Sequence, residues 1–178
     1  DKMILKKNGT DPESLPKDLI IAKEILYDCC DFDLTQPQPE AESNEYDAYR
    51  FRLNQKNICY RKAKITPTKT GQFVTLWKRN TTGIIEPFDF TDAIDFVIVS
   101  VRKNELFGQF VFPKSVLLEK GIFTTSTKEG KRATRVYPPW DETTSKQAQK
   151  TQQWQLAYFV PISNEKPIDF ELIKKLIP

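Results

Sequence analysis

The sequence predicts an α+β fold in a single domain, with a central, mostly antiparallel or mixed sheet of about five strands flanked by helices. A helical period near the N-terminus gives way to alternating patterns from Tyr46, a run that is apolar on both faces follows at 95–101, and helical segments return toward the C-terminus. A length of 178 residues suits one domain that buries its core without metal or disulfide support. We divide it into an acidic leader of helix and loop (1–44), a sheet-containing core (45–160) and a C-terminal tail helix (161–178).

The first element is a helix of about three turns within LPKDLIIAKEILYD. Ser14 precedes it as a candidate cap, and its apolar residues recur at helical spacing: Leu15, Leu19, Ala22 and Leu26. The next stretch, TQPQPEAESNE, is rich in proline and acid, so we expect a loop there.

Alternation with a period of two then predicts three consecutive strands: YDAYRFRL, NICYRKAKIT and GQFVTLWKR. Because DFVIVSV at 95–101 is apolar on both faces, we expect it to be the central strand, with LFGQFVFP at 106–113 beside it. The pattern of residues 143–159 favours a helix that begins after Ser145, although the alternation of apolar residues in the same segment is also compatible with a strand. DFELIKKL is expected to close the chain as a short helix.

The tetrapeptide GQFV occurs twice, starting at Gly71 and at Gly108. In each copy the glycine starts a predicted strand, and the glutamine and phenylalanine fall on opposite faces. Four residues are too few to establish a duplicated unit. We therefore interpret the repeat as a strand start that is used twice.

Composition excludes several classes of enzyme. The chain has no histidine, which removes the commonest general base, the Ser-His-Asp and Cys-His nucleophile systems, and His-containing zinc sites. Its six glycines are isolated, so it has neither a GxxxxGK[ST] nor a GxGxxG phosphate loop.

The spacing of Cys29, Cys30 and Cys59 suits neither a disulfide framework nor a CxxC metal site, and we expect reduced thiols. No apolar run is as long as a membrane span or resembles a signal peptide, so we expect a cytoplasmic protein with no membrane partner.

Charge is distributed unevenly along the chain. Residues 1–47 carry 12 acidic and 5 basic side chains, whereas residues 48–85 carry nine basic side chains and no acid. A second basic region, 128–150, has six basic and three acidic residues interleaved with Tyr137 and Trp140. Dense cations contact phosphates and aromatic rings stack on bases, so we predict a nucleic-acid partner and no small-molecule cofactor. The pattern fits DNA or RNA, single-stranded or duplex, and carries no information on oligomeric state.

Four strings of the sequence carry a resemblance to known proteins: RKAKITPTKTGQFVTLWKR at 61–79, PFD at 87–89, FGQFVFPKSVLLEKGI at 107–122 and KRATRVYPPWDETTSKQAQKTQQWQ at 131–155. In these strings the chain resembles the MepB family of bacterial proteins. The resemblance runs from Glu45 to Phe159. It implies a link to drug response, because the staphylococcal namesake is encoded beside a multidrug efflux pump and its repressor, but it implies no reaction.

We expect the protein to bind nucleic acid through a basic sheet face, without catalysis. Tyr60, Lys62 and Lys64 share one face of a predicted strand, so one side of the sheet is expected to be cationic. The candidate contacts come from the two basic regions: Lys62, Lys64, Lys69, Lys78, Arg79, Arg135, Trp140, Lys146 and Lys150.

One alternative is a metal-dependent nuclease, because the order of elements is similar to the restriction-endonuclease-like fold. Such nucleases hold Mg²⁺ with a carboxylate on one strand and a (D/E)xK motif on the next. By this analogy Glu45 and Asp47 are candidate catalytic and metal-binding carboxylates, Lys64 is the motif lysine, and Mg²⁺ would be the cofactor. However, Lys62 stands where the motif needs Asp or Glu, so Glu45 and Asp47 are otherwise interpreted as surface acids that pair with Arg50 or Lys62.

Two further alternatives use the same charges. Lys64, Lys69, Lys78 and Arg135 would converge in a pocket if the ligand were a small anionic metabolite. In a protein-interaction module, the acidic leader and the basic sheet would face different partners or each other.

Overall fold

The computed structural model describes residues 15–162 and 166–178. Its helices and strands, in chain order, are α1 (Lys17–Ala22), β1 (Leu34–Pro39), β2 (Tyr49–Leu53), β3 (Lys56–Lys62), β4 (Lys64–Ile65), β5 (Gln72–Thr75), β6 (Trp77–Arg79), β7 (Ile85–Pro87), β8 (Phe96–Lys103), β9 (Leu106–Pro113), α2 (Lys114–Glu119), β10 (Ala133–Val136), α3 (Lys146–Gln155), β11 (Phe159–Pro161) and α4 (Phe170–Leu176). After α1 the chain continues as a π-helical turn, Lys23–Tyr27, and a 3-10 turn, Asp28–Cys30.

Six strands form the main sheet, in the order β1-β2-β3-β8-β9-β11. β3 and β8 are parallel, and all other neighbours are antiparallel. A small antiparallel sheet has the order β10-β5-β4, and β6 pairs with β7. The prediction of an α+β fold with a mixed sheet flanked by helices is confirmed, with six strands in the main sheet instead of about five.

Both faces of the main sheet are covered. α1 and α4 pack on one face through residues such as Leu19, Ile98 and Ile173, whereas the small sheet packs on the other through residues such as Val74 and Val99. Neighbouring residues of β8 therefore belong to different cores. This explains why the predicted central strand is apolar on both faces, and β8 does lie inside the sheet, between β3 and β9.

The predicted helices are present in the described residues. α3 begins after Ser145, whose hydroxyl accepts a hydrogen bond from the Ala148 N–H at 3.1 Å, and α4 begins after Asp169, whose carboxylate accepts from Leu172 N–H at 3.2 Å. Ser14, the predicted cap of the first helix, lies outside the described residues. None of the helices within 15–162 and 166–178 has the length and apolar character needed to cross a membrane.

Several predicted boundaries are wrong. Residues 35–39 of the stretch predicted as a loop belong to β1, which tolerates proline because it is an edge strand whose outer N–H groups need no partner. Residues 40–43 are a loop, as predicted, and a 3-10 turn, Asn44–Tyr46, follows. A register shift between Thr35 and Gln38 also kinks this strand. GQFVTLWKR is divided between β5 and β6, and NICYRKAKIT between β3 and β4, because the chain leaves one sheet and enters another.

The two GQFV segments share a packing constraint. A side chain at Gly71 would overlap the ring of Tyr137, and one at Gly108 would overlap the ring of Phe159. The glutamines that follow, Gln72 and Gln109, are both buried. Each glycine thus lets an aromatic ring lie directly on the backbone. The interpretation as a strand start is correct only for the first copy, because Gly71 directly precedes β5 whereas Gly108 is the third residue of β9.

Candidate nucleic-acid interface

The acidic leader and the first basic region are paired with each other in the folded chain. Four carboxylates of the leader and of the residue that follows it lie against cations of residues 48–85: Asp18 is 3.1 Å from Lys62, Glu40 is 2.7 Å from Arg61, Glu42 is 2.6 Å from Arg79 and Glu45 is 3.9 Å from Lys64. The charge asymmetry of the sequence is therefore largely cancelled within the fold.

Glu40 is the centre of a buried cluster of charges. The fully buried Arg61 donates from Nη1 and Nη2 to the two Glu40 oxygens at 2.7 and 3.1 Å, and from Nε to the Thr75 carbonyl at 3.0 Å. Arg50 donates to the same carboxylate at 3.0 Å. Both guanidinium groups lie within 6 Å of the Phe88 ring centre, at 5.2 and 5.9 Å. Arg61 is consequently not accessible to a ligand.

The face of β3 that was predicted to be cationic is covered by α1. Tyr60 is buried, and its hydroxyl donates to Ser100 Oγ at 2.7 Å. Lys62 pairs with Asp18, which also accepts from Arg102 Nη2 at 2.9 Å. Burial alone would raise the pKa of Asp18, but the hydrogen bonds from Arg102 and Lys62 outweigh it and lower that pKa. Lys62 therefore holds α1 to the sheet through Asp18, whereas Tyr60 is bonded within the sheet and is not accessible.

The carboxylates of the nuclease alternative belong to no group of three or more possible metal ligands among the described residues. Glu45 is 76% exposed and pairs with Lys64, whose Nζ lies 4.9 Å from the Tyr46 ring centre. Asp47 is half-buried in a left-handed backbone conformation with φ of 49°. Within the described part of the chain, no three Cys, Asp or Glu side chains are placed to hold a metal ion. Glu45 is a surface acid, as the alternative interpretation expected, but its partner is Lys64 and not Arg50 or Lys62.

Lys78 lies in a cluster that neutralises its charge. Its Nζ is 2.7 Å from Asp92, 3.0 Å from Asp89 and 3.7 Å from Glu86. Burial would raise the pKa of Asp89, but hydrogen bonds from Thr91 and Lys78 lower it to about 2.

Arg79 is also engaged within the fold. It donates to Glu42 at 2.6 Å and to the Gly83 carbonyl at 3.0 Å, and it lies 5.5 Å from the Trp77 ring centre. Neither Lys78 nor Arg79 is a free cation.

An open groove lies between β10 and α3, and we call it the α3 groove. It has a volume of about 370 Å³ and is lined by Phe73, Tyr137 and Trp154 together with three cations: Lys120, Lys131 and Arg135. Beyond Lys120 and Trp154 it continues into a depression of about 580 Å³ that adds Lys150. Of the described residues that line either part, none is acidic.

The cations of the α3 groove differ in how they are held. Arg135 Nη2 donates to Thr66 Oγ1 at 3.0 Å, and its guanidinium carbon lies 5.7 Å from the Phe73 ring centre. Lys120 Nζ lies 5.6 Å from the Trp154 ring centre. Over residues 15–162 and 166–178, no carboxylate comes within ion-pair distance of Arg135, of Lys120 or of the other two lysines of the groove. Their positive charge is therefore uncompensated.

Two predicted contacts lie in a separate depression of mixed charge. Lys69 and Trp140 line a volume of about 490 Å³ together with Lys103, Asp141 and Glu142. Burial raises the pKa of Asp141, against the opposing effect of Lys103. The Trp140 ring packs edge-on against Phe159, 5.9 Å away, and its Nε1 is buried without a hydrogen-bond partner among the described residues.

The predicted contacts thus lie in different parts of the structure. Arg135 and Lys150 line the α3 groove, and Lys146 is exposed in the first turn of α3 without lining it. Sequence reasoning missed Lys120 and did not nominate Lys131. Lys120 follows a helix that was not predicted, and no local pattern marks it, because the groove exists only where α3 packs near β10.

Comparisons with known proteins agree with the resemblance noted in the sequence. A family model described as MepB-like matches residues 40–161. The crystal structure of MepB is 34% identical and has a TM-score of 0.73, covering 86% of this chain and 100% of that chain. A bacterial homing endonuclease aligns at 15% identity with a TM-score of 0.36, over 68% of this chain and 77% of that chain. A search of curated proteins gave no match. The chain belongs to the MepB-like family.

Proposed function

We propose that the protein binds nucleic acid in the α3 groove, without catalysing a reaction on it. The observation that carries this proposal is the lining of the groove, in which Lys120, Lys131 and Arg135 surround one volume with no acid. Cations without a carboxylate partner contact phosphates and release counterions, which gives affinity with little sequence preference. The N-terminal end of α3, a helix of 10 residues, adds positive potential at the same place.

The proposed contacts differ from those that the charge pattern suggested. Lys62, Lys64, Lys78 and Arg79 already lie near carboxylates, so phosphate contacts there would replace existing pairs. Phosphate binding at the α3 groove replaces no ion pair. We therefore assign the main contacts to the four groove cations, with Lys69 and Lys146 as flanking positions.

No carboxylate cluster supports the nuclease alternative within residues 15–162 and 166–178. We propose binding that needs neither a metal nor a cofactor, in the bacterial cytoplasm. Incubation of labelled single-stranded and duplex DNA with the protein and Mg²⁺ or Mn²⁺ is expected to leave both strands intact. Metal-dependent cleavage that a Glu45→Ala, Asp47→Ala variant loses would contradict this part of the proposal.

The proposal is tested by fluorescence-polarisation titration of single-stranded DNA, duplex DNA and RNA at about 50 and 200 mM salt. Replacing Lys131 and Lys150 together by glutamine is expected to weaken binding and to reduce the slope of log affinity against log salt by about 1.5 to 2. The matched control is a Lys174→Gln, Lys175→Gln variant, which loses the same charge from α4 on the opposite face of the main sheet. Absence of binding to all three probes at low salt, or equal losses in both variants, would refute the proposal.

A small anionic ligand is the second candidate, because three cations converge on a volume of about 370 Å³. Inorganic pyrophosphate is a suitable calorimetric probe for it. Pyrophosphate that binds as tightly as an oligonucleotide, with a shallow salt dependence, would favour the small anion. Tight binding of the oligonucleotide with a steep salt dependence would favour nucleic acid.

A further inference from the structure

We propose that the α3 groove holds an unpaired base against the open main-chain edge of β10, so that the preferred ligand is single-stranded nucleic acid. This inference rests on the proposed function and specifies its ligand. It follows from the direction of main-chain groups in β10 and from the rings that lie beside them.

β10 has one paired edge and one open edge. Thr134 and Val136 pair with β5, and the Arg132 carbonyl accepts from the N–H of Leu76, the residue after β5, at 2.8 Å. Because hydrogen-bonded and non-bonded pairs alternate in an antiparallel ladder, the main-chain groups of Ala133 and Arg135 point away from β5. The α3 groove lies on that side, and both residues line it.

The side chain of Gln155 occupies part of this edge. Its Nε2 donates to the Arg135 carbonyl at 2.9 Å, and its Oε1 accepts from the Tyr137 N–H at 2.8 Å, as a neighbouring strand would. Gln155 is 1% exposed and therefore firmly held. What remains is the N–H of Arg135 and the N–H and C=O of Ala133, none of which has a partner among the described residues.

An N–H and a C=O side by side match the donor and acceptor pattern on the edge of a base. The rings of Phe73, Tyr137 and Trp154 line the same volume and offer stacking surfaces. Only an unpaired base can bond to these main-chain groups and also stack on these rings, because in a duplex the pairing edge of the base is occupied and its faces are stacked on its neighbours. The groove cations are then placed to contact the phosphates on either side of that base.

An extended peptide is the other ligand that an open strand edge can bind. Strand addition depends on several consecutive main-chain pairs, and Gln155 ends the open edge after Arg135. Three aromatic rings beside uncompensated cations also suit bases and phosphates better than a peptide backbone. The structure therefore favours nucleic acid over strand addition.

The first experiment compares three labelled probes at one salt concentration: a single-stranded oligonucleotide, an abasic oligonucleotide with the same number of phosphates, and a duplex. We expect the single strand to bind at least about 10-fold tighter than the other two, because stacking of even one base has an effect of this size. Equal binding of all three would overturn this inference and leave the proposed function intact. Binding of none would refute the proposed function itself. An acidic peptide that binds tighter than the single strand would overturn the inference in favour of strand addition.

The second experiment removes one main-chain donor without changing charge. Ala133→Pro deletes an outward N–H, whereas the bonds to β5 are made by the residues on either side of it. We expect Ala133→Pro to bind the single strand several-fold more weakly than the wild type does, and to lose less affinity for the abasic probe, which has no base to bond to the edge. Single-strand binding at the wild-type level by a folded Ala133→Pro variant would overturn the role of the edge.

Trp154→Leu provides an independent variant if proline at position 133 prevents folding. The ring of Trp154 packs against Phe112, 5.5 Å away, and leucine keeps apolar contact there. We expect this variant to lose most of the difference between the single-stranded and abasic probes. If the affinities for the single-stranded and abasic probes differed as much as in the wild type, the inference would be overturned.

Discussion

Replacing Glu40 by glutamine tests how the leader is held to the main sheet. Glu40 is 14% exposed and binds Arg61, which is 0% exposed, together with Arg50. Glutamine has nearly the same shape, but it carries no charge and offers one acceptor where the carboxylate offers two. The guanidinium of Arg61 would remain buried without its counter-charge.

The size of the effect follows from this burial. Breaking a buried ion pair by removing one partner costs about 3 to 5 kcal/mol. Arg61 keeps the carbonyls of Thr75 and Tyr60 as acceptors, and Glu40 is slightly exposed, so we expect the lower end, about 3 kcal/mol. In a chain of this length, 1 kcal/mol shifts the melting temperature by about 2 to 4 °C, which predicts a decrease of about 6 to 12 °C.

Thermal unfolding followed by circular dichroism measures this difference, with Glu42→Gln as the matched control. Glu42 and Arg79 form an equally short pair, at 2.6 Å, but their side chains are 31% and 47% exposed. A surface pair of this kind contributes only about 0 to 1 kcal/mol. If both variants melted within about 2 °C of each other, Glu40 would not be the buried counter-charge that the structure describes.

Three other predictions concern packing, thiols and acid. Gly108→Ala is expected to lower the free energy of unfolding by about 1 to 3 kcal/mol, because the methyl group would overlap the Phe159 ring; an unchanged urea midpoint would contradict this. Burial raises the pKa of Cys59 to about 11, so a thiol reagent at about pH 8 should modify the exposed Cys29 quickly and Cys59 only after unfolding; rapid modification of both would argue against the fold. Since the pKa of Asp89 in the folded chain is about 2, below its unfolded value of about 4, its contribution to stability is present above pH 4 and lost as the pH falls toward 2. The stability difference between wild type and Asp89→Asn should therefore shrink over that range in urea titrations, and a constant difference would disprove the linkage.

Elements with a strong period of their own were predictable from the sequence. β8 is apolar at every position from Phe96 to Val99, and α3 and α4 are marked by Ser145 and Asp169 at their starts. The short strands were not predictable in this way. β1 contains two prolines and β11 has three residues, so each depends on its neighbour in the sheet and not on its own pattern.

The sequence located the basic regions but not which charges are paired. A count along the chain treats neighbours in sequence as neighbours in space. In the fold, however, Asp18 meets Arg102, which is 84 residues away, and Glu42 meets Arg79 across 37 residues. Of the surfaces described above, the one lined by cations without any acid therefore lies beside α3, where the sequence showed the weaker of its two basic regions.

Gln155 also determines where the small sheet ends. An exposed strand edge is a template on which a second copy of the same strand can pair, and repeated pairing of this kind leads to aggregation. By bonding to two main-chain groups of the β10 segment with one side-chain amide, Gln155 shortens that edge without adding another strand. The protein can thus keep a short open edge beside the groove and still resist association between copies along β10.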